Sequence, residues 1–223
     1  MLPHMNWKNI DTYPVMGEWL NKKNAIPLDF SAGNTALQKE TYGNIDAFCK
    51  YVDRLLQEAG LPYGHGGYFE KRIIYNVFDN FATQEEHRNI HLGIDIWGRE
   101  GTAVFCPIEG EIHSFRFNAG DGNYGPAIIL KHDIEGESVF SLYGHLRMDD
   151  LNGLYVGQKF SKGSLLCHLG APHENGKWPP HLHFQLMRDM EGWQGDYPGV
   201  CSQKDEEHFR SNCPDPSPLI FES

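Results

Sequence analysis

The chain has 223 residues, 40% of them hydrophobic and 22% charged, the size and apolar content of one globular domain with extensions or of two small domains. Disorder, collagen and a coiled coil are excluded as the main architecture. Lys and Arg number 19 against 30 Asp and Glu, a formal charge of −11, which is the wrong sign for a protein that works on nucleic-acid phosphate or an anionic membrane surface.

The start, MLPHMNWKNIDTYPVMGEW, lacks the basic-then-apolar pattern of a secretory signal, and no run of eighteen apolar residues follows. The expectation is therefore no membrane contact and a cytoplasmic location, unless the chain is the mature form of an exported protein. The first forty residues show no sustained periodicity. After them Ile45, Phe48, Cys49, Val52, Leu55 and Leu56 recur at three- and four-residue spacings between Asn44, a suitable N-cap, and Gly60, a suitable stop, which predicts one amphipathic helix. Next come the glycine-rich then strand-like GHGGYFEKRIIYNVF and the polar loop DNFATQEEHRN. From Ile90 to Met187 short β-branched and aromatic runs alternate with Gly, Asn, Asp and Pro at about ten-residue intervals, as in an all-β structure. The predicted strands are IHLGIDIW, AVFCPI, EIHSFRF, PAIILKH, SVFSLYGHL, SLLCHLG and HLHFQLM. The tail around Cys213-Pro214-Asp215-Pro216-Ser217-Pro218 is too proline-rich for regular structure. This divides the chain into an N-terminal extension with one helix (1–85), a mainly β domain with an antiparallel core (86–190) and a tail packing on that core (191–223). Cys49, Cys106, Cys167, Cys201 and Cys213 are odd in number and too widely spaced for a C-x-x-C motif, so reduced, buried thiols are expected.

The chain has 12 His, and imidazole is both the commonest metal ligand and the usual acid/base near neutral pH. In H-L-H, His181 and His183 share one face of a strand about 7 Å apart, while Leu182 and Phe184 point the other way into a core. One imidazole can then ligate a metal while the other reaches the water or the substrate. Two exposed strand histidines are the blander reading, and H-x-H by itself does not make a metal site. His91 and Asp95 form H-x-x-x-D in an extended context, where a straight strand would hold them about 13 Å apart. They can meet on one ion only if the chain bends, and Gly93 permits that. In Y-G-H-L, His145 shares parity with Val139, Ser141 and Tyr143, opposite the row of Phe140, Leu142 and Leu146, and so is expected on the face of Tyr143. Taken together these motifs supply three ligands and two spare imidazoles. Catalytic zinc takes three protein ligands and keeps a fourth position for water, whose pKa falls to about 7.

With H-L-G-I-D, G-T-A-V-F-C-P-I-E-G-E-I, N-Y-G-P-A-I-I-L-K-H, Y-G-H-L and P-P-H-L-H-F-Q in this order, the stretch from Ile90 to Met187 resembles the lysostaphin-like zinc metallopeptidases, endopeptidases with the duplicated-hybrid-motif fold. The resemblance implies one Zn2+ per chain on His91, Asp95 and His183, with His145 and His181 as the catalytic pair. It also implies hydrolysis of a peptide bond in peptidoglycan or a glycine-containing peptide. His132 falls where the family also tends to have His without using it as a ligand, so it is expected to be structural or to support the site. The segments G-G-Y-F-E-K-R-I-I-Y, G-K-W-P-P and G-D-Y-P-G-V-C further resemble a subgroup in which such domains are fused to class III aminotransferases and small-molecule kinases. That subgroup and the acidic charge motivate a rival reading: a metal-bearing module, or a hydrolase of a small amine or amide, that serves a cytoplasmic partner enzyme.

Glu70 and Arg72 lie two apart and can both face the groove as substrate-binding or supporting groups; a surface ion pair is the alternative. Tyr143 and Trp178 are candidates for lining a peptide groove or for burial in the core. His65 is expected on a solvent-exposed loop. No glycine-rich phosphate loop precedes a capped helix and no G-x-S-x-G occurs, so nucleotide binding and serine hydrolysis have no support.

Overall fold

A computed structural model describes residues 10–77, 81 and 87–222; most of the polar loop expected at 79–89 lies outside the described residues. After a short helix α1 (Lys39–Tyr42), helix α2 runs over Ile45–Ala59. The Asn44 side chain accepts the Ala47 N–H at 3.0 Å, and Gly60 closes the helix with a left-handed φ of 65°, as the capping residues predict. The apolar stripe buries Phe48, Tyr51 and Val52.

The strands are β1 (Ala25–Pro27), β2 (Tyr63–Gly66), β3 (Ile90–His91), β4 (Ile94–Trp97), β5 (Ala103–Phe105), β6 (Gly110–Asn118), β7 (Gly125–Ile134), β8 (Glu137–Gly144), β9 (Lys159–Phe160), β10 (Leu165–His168), β11 (His181–Met187) and β12 (Val200–Cys201). Helix α3 (Glu206–Asn212) follows. Eight strands form one sheet in the order β1-β2-β4-β11-β8-β7-β6-β9, and β5 with β10 and β3 with β12 form two small ladders. Every pairing is antiparallel except β1 with β2. The fold is mainly β around a large antiparallel sheet, as the spacing of the β-branched runs predicts.

Two features differ from the sequence reading. The segment before residue 85 adds β1 and β2 to the main sheet, so His65 sits in a strand, its ring 4.8 Å from that of Phe221. Strands of three and four residues show no alternation, and it is backbone pairing that holds them. Second, all seven residues of β11 are buried, and β8 is buried on both faces from Ser141 to Gly144. Elements cover the sheet on both sides, so strand parity does not separate core from solvent.

The tail docks by backbone: Leu20 N–H donates to Ile220 O at 2.9 Å, and Leu219 and Ile220 are buried. None of the five cysteines is in a disulfide, and four are buried. No helix among the described residues is long and apolar enough to cross a membrane.

Candidate metal centre

The sheet register builds the site. Gly66 pairs with Asp95, Asp95 with His183, and His183 with Gly144, so one row crosses β2, β4, β11 and β8. His91 joins that row because the strand is interrupted between β3 and β4 at Leu92 and Gly93. A Cβ on Gly93 would lie 2.6 Å from Phe184 O and 3.0 Å from His183 Nε2, so only glycine lets the bend pack against β11.

Three ligand atoms converge. His91 Nε2 lies 2.9 Å from His183 Nδ1, and both lie 3.1 Å from Asp95 Oδ1. Donors 2.0–2.1 Å from a tetrahedral ion stand about 3.3 Å from one another, so this triangle has the size that zinc needs. Among the described residues this trio is the one cluster of His, Cys, Asp and Glu side chains with ligand atoms close enough to share an ion.

The proton positions follow from acceptor-only partners. His91 Nδ1–H donates to Gly67 O at 3.2 Å, which leaves Nε2 with its lone pair toward the trio. Gln185 donates its amide to Pro198 O at 3.1 Å, so its Oε1 accepts the His183 Nε2–H at 2.9 Å and leaves Nδ1 free to ligate. The second oxygen of Asp95 accepts from Arg72 Nη1. Each candidate ligand thus has an orienting partner, as metal-ligating side chains generally do. Burial, with the Arg72 charge, pushes His91 down to about 3, so its imidazole is neutral. Burial opposes charge on Asp95, but the Arg72 guanidinium bonded to it outweighs that and holds the carboxyl well below the usual carboxylate range.

His181 and His145 lie beside the trio. His181 Nδ1–H donates to Pro179 O and His145 Nδ1–H to Asn175 O, both at 2.7 Å, so each ring keeps a basic Nε2. The two rings are 4.1 Å apart, and His181 Nε2 stands 3.9 Å from Asp95 Oδ1. Trp97 stacks on His181 at 5.5 Å and 16°. Burial pushes His181 down, and burial with the neighbouring His181 holds His145 well below the usual range. The parity argument for His145 fails in the structure. β8 ends at Gly144 and His145 adopts a left-handed φ of 64°, which turns its ring away from the face of Tyr143.

The remaining candidates separate into two groups. Arg72 is buried rather than part of a surface pair; its Nε donates to Glu70 at 2.6 Å and its Nη1 also to Tyr75 at 3.2 Å. Gly66 leaves room for Nη2, which a Cβ there would meet at 2.6 Å. His132 and Tyr143 belong to a different buried network, in which the Ser141 hydroxyl bonds His132 Nε2 at 2.7 Å and Tyr143 at 3.1 Å, and His132 Nδ1–H donates to Glu109 O. Neither lines the cavity at the metal centre, whereas Trp178 does. Sequence reasoning missed Gln185, although it shares strand parity with His181 and His183, and Asn175, whose backbone carbonyl leaves no trace in side-chain patterns.

Residues 89–195 match peptidase family M23. The chain carries a peptidase family M23 domain. Among solved structures the chain is similar to lysostaphin in solution (22% identity, TM-score 0.38, 67% of this chain and 51% of that one) and to LytU (21%, 0.38, 60% and 82%). It is also similar to the catalytic domain of the antimicrobial peptidase lysostaphin from Staphylococcus simulans (24%, 0.34, 55% and 80%). The match therefore spans about half of the longer lysostaphin chain, 51%. No curated protein matches the sequence.

Proposed function

We propose that the chain is a zinc-dependent peptidase, with His91 Nε2, Asp95 Oδ1 and His183 Nδ1 holding the ion and His181 and His145 handling protons. The carrying observation is the ligand triangle of 2.9, 3.1 and 3.1 Å, with each member fixed by its own partner. Two imidazoles and one carboxylate are a donor set that zinc accepts, with a position left open for chemistry. Zinc held there supplies Lewis acidity that makes water nucleophilic near neutral pH.

The chain's own groups account for the rest. His181 Nε2 is unprotonated and close to the Asp95 carboxylate, so a proton taken there is stabilised by the adjacent negative charge. Its Nδ1–H stays on Pro179 O, which keeps the ring facing the site through both protonation states. His145 Nε2 sits beside it; once protonated it can donate to the developing oxyanion or to the departing amine. Burial of all five side chains to 6% exposure or less excludes bulk water from these transfers. Peptide bonds of peptidoglycan or of glycine-containing peptides are the substrates that the family resemblance implies.

The test is the metal content of two variants. His183→Ala should lose tight zinc binding, whereas His181→Ala should keep zinc and lose hydrolysis of peptide substrates. Stoichiometric zinc in purified His183→Ala protein would sink the ligand assignment.

A further inference from the structure

The cavity at the metal centre has a second wall that the M23 segment does not supply alone. His145, His181 and His183 line it together with Phe48, Ile74, Tyr75, Trp97 and Trp178. Phe48, Ile74 and Tyr75 precede residue 89, where the M23 match begins. Helix α2 brings in Phe48, and the turn at Ile74–Val77 brings in the other two. The aromatic surface is continuous with the proton-handling pair. Trp178 lies 6.3 Å from the His145 ring and 6.0 Å from Tyr75, and Trp97 stacks on His181.

Phe48, Ile74, Tyr75, Trp97 and Trp178 are each 5% exposed or less. Trp193, which also lines the cavity, is 45% exposed. Its volume is about 240 Å³, below the roughly 300–1,000 Å³ of sites that hold drug-sized ligands. An oligoglycine strand would leave the flat apolar rings without a partner. Arg72, at this wall, bonds Glu70 and Asp95.

Building on the peptidase reading, we propose that the site takes short substrates carrying an aromatic or other bulky apolar group next to the scissile amide, such as dipeptides, rather than internal bonds of a glycine-rich polymer. The aromatic wall receives that group and so sets its distance from His145 and His181. This makes the N-terminal segment the specificity element of the M23 domain.

Two measurements on the full, zinc-loaded chain test this. In the first, Phe-Gly, Gly-Phe and Gly-Gly are compared with pentaglycine and with decapeptides carrying the same bonds internally and blocked at both ends. At least one aromatic dipeptide should exceed Gly-Gly, pentaglycine and the decapeptides about tenfold or more in kcat/KM, the discrimination a hydrophobic pocket commonly gives. Equal or faster cleavage of pentaglycine or of the internal bonds would overturn the proposal.

The second is binding of phenylalanine hydroxamate against glycine hydroxamate, followed by tryptophan fluorescence. The aromatic probe should bind at least about tenfold tighter, and Ile74→Trp, which fills the wall, should remove that preference while zinc content and glycine hydroxamate affinity stay unchanged. Equal affinity of the two probes for the unmodified chain would overturn the proposal. If no peptide is cleaved yet the aromatic probe keeps its preference, the pocket stands and the peptidase reading falls. Should Ile74→Trp fail to fold, Phe48→Ala is the second variant, and it should weaken the aromatic probe alone.

Discussion

Arg72 is the side chain whose removal should cost most, and a double-mutant cycle with Asp95 isolates why. Its guanidinium is buried and bonds Asp95, whose side chain is 5% exposed, while its other acidic partner, Glu70, keeps 18% exposure and some contact with water. Arg72→Met preserves most of the packing volume but leaves Asp95 buried without its cation. Removing one partner of a buried pair costs about 3–5 kcal/mol, because the remaining charge is uncompensated. Asp95→Asn removes that charge, so in the double variant much of the penalty disappears and a coupling energy of about 2–3 kcal/mol should remain. Urea denaturation at pH 7 with chelator present measures this, with metal linkage removed from all four proteins. With a slope of about 2 kcal/mol per M, Arg72→Met should lower the midpoint by on the order of 2 M. Arg72→Lys should fall between, since it keeps the charge and loses the fork that reaches Glu70, Tyr75 and Asp95 together. The sign with pH follows from Asp95: its folded pKa is depressed, so the stabilisation is present above about pH 4 and fades as pH falls below it. Two single losses that add to the double within about 0.5 kcal/mol would refute the claim that Arg72 acts through Asp95.

Two further outcomes follow from other parts of the molecule. His132 is buried and pushed down by that burial, so the unfolded chain takes up its proton first as pH drops below about 6.5. The chelated protein should therefore lose stability as pH falls from 7.5 to 5.5, and His132→Gln should lose less over that span by urea denaturation; identical losses would refute the assignment. Gly176 has a φ of +87°, and a Cβ there would sit 1.8 Å from Asn123 O, so Gly176→Ala must displace the loop whose Asn175 carbonyl holds His145. Peptide hydrolysis should fall with zinc content unchanged, and stability should drop by more than in Gly153→Ala, where φ is +78° but nothing lies within 4 Å. Equal behaviour of the two alanine variants in thermal melts and turnover would remove Asn175 from the account.

How much of this was legible in the sequence depended on whether a side-chain pattern or a backbone contact carried it. Asn44 and Gly60 bracket α2 because capping is local chemistry. The bend that H-x-x-x-D demanded is present at Gly93, since no other geometry lets His91 and Asp95 approach to 3.1 Å. His145 was misplaced because parity holds only while the strand continues, and β8 stops one residue earlier. β1 and β2 left no signal, being too short to alternate. Arg72 was visible as a candidate, but nothing in Y-F-E-K-R-I-I-Y states that its partner lies 23 residues on. Long-range register decides such contacts, and in one sequence register leaves no mark.

The N-terminal segment therefore does more than pack against a finished M23 domain. Pairing β2 to β4 places Gly66 opposite Asp95, and the missing side chain there is what admits the Arg72 guanidinium between Gly66 and the Trp97 ring. The next backbone group, Gly67 O, accepts from His91. Two of the three candidate ligands are thus oriented from residues 66–72, and the third by Gln185 of β11. The same segment continues into Ile74 and Tyr75, which face the cavity. A single short stretch of chain consequently carries the partners of two candidate metal ligands, at 66–72, and part of the cavity wall, at Ile74 and Tyr75, so substitutions at Gly66 or Arg72 should change metal affinity whereas Ile74→Trp should change substrate preference alone.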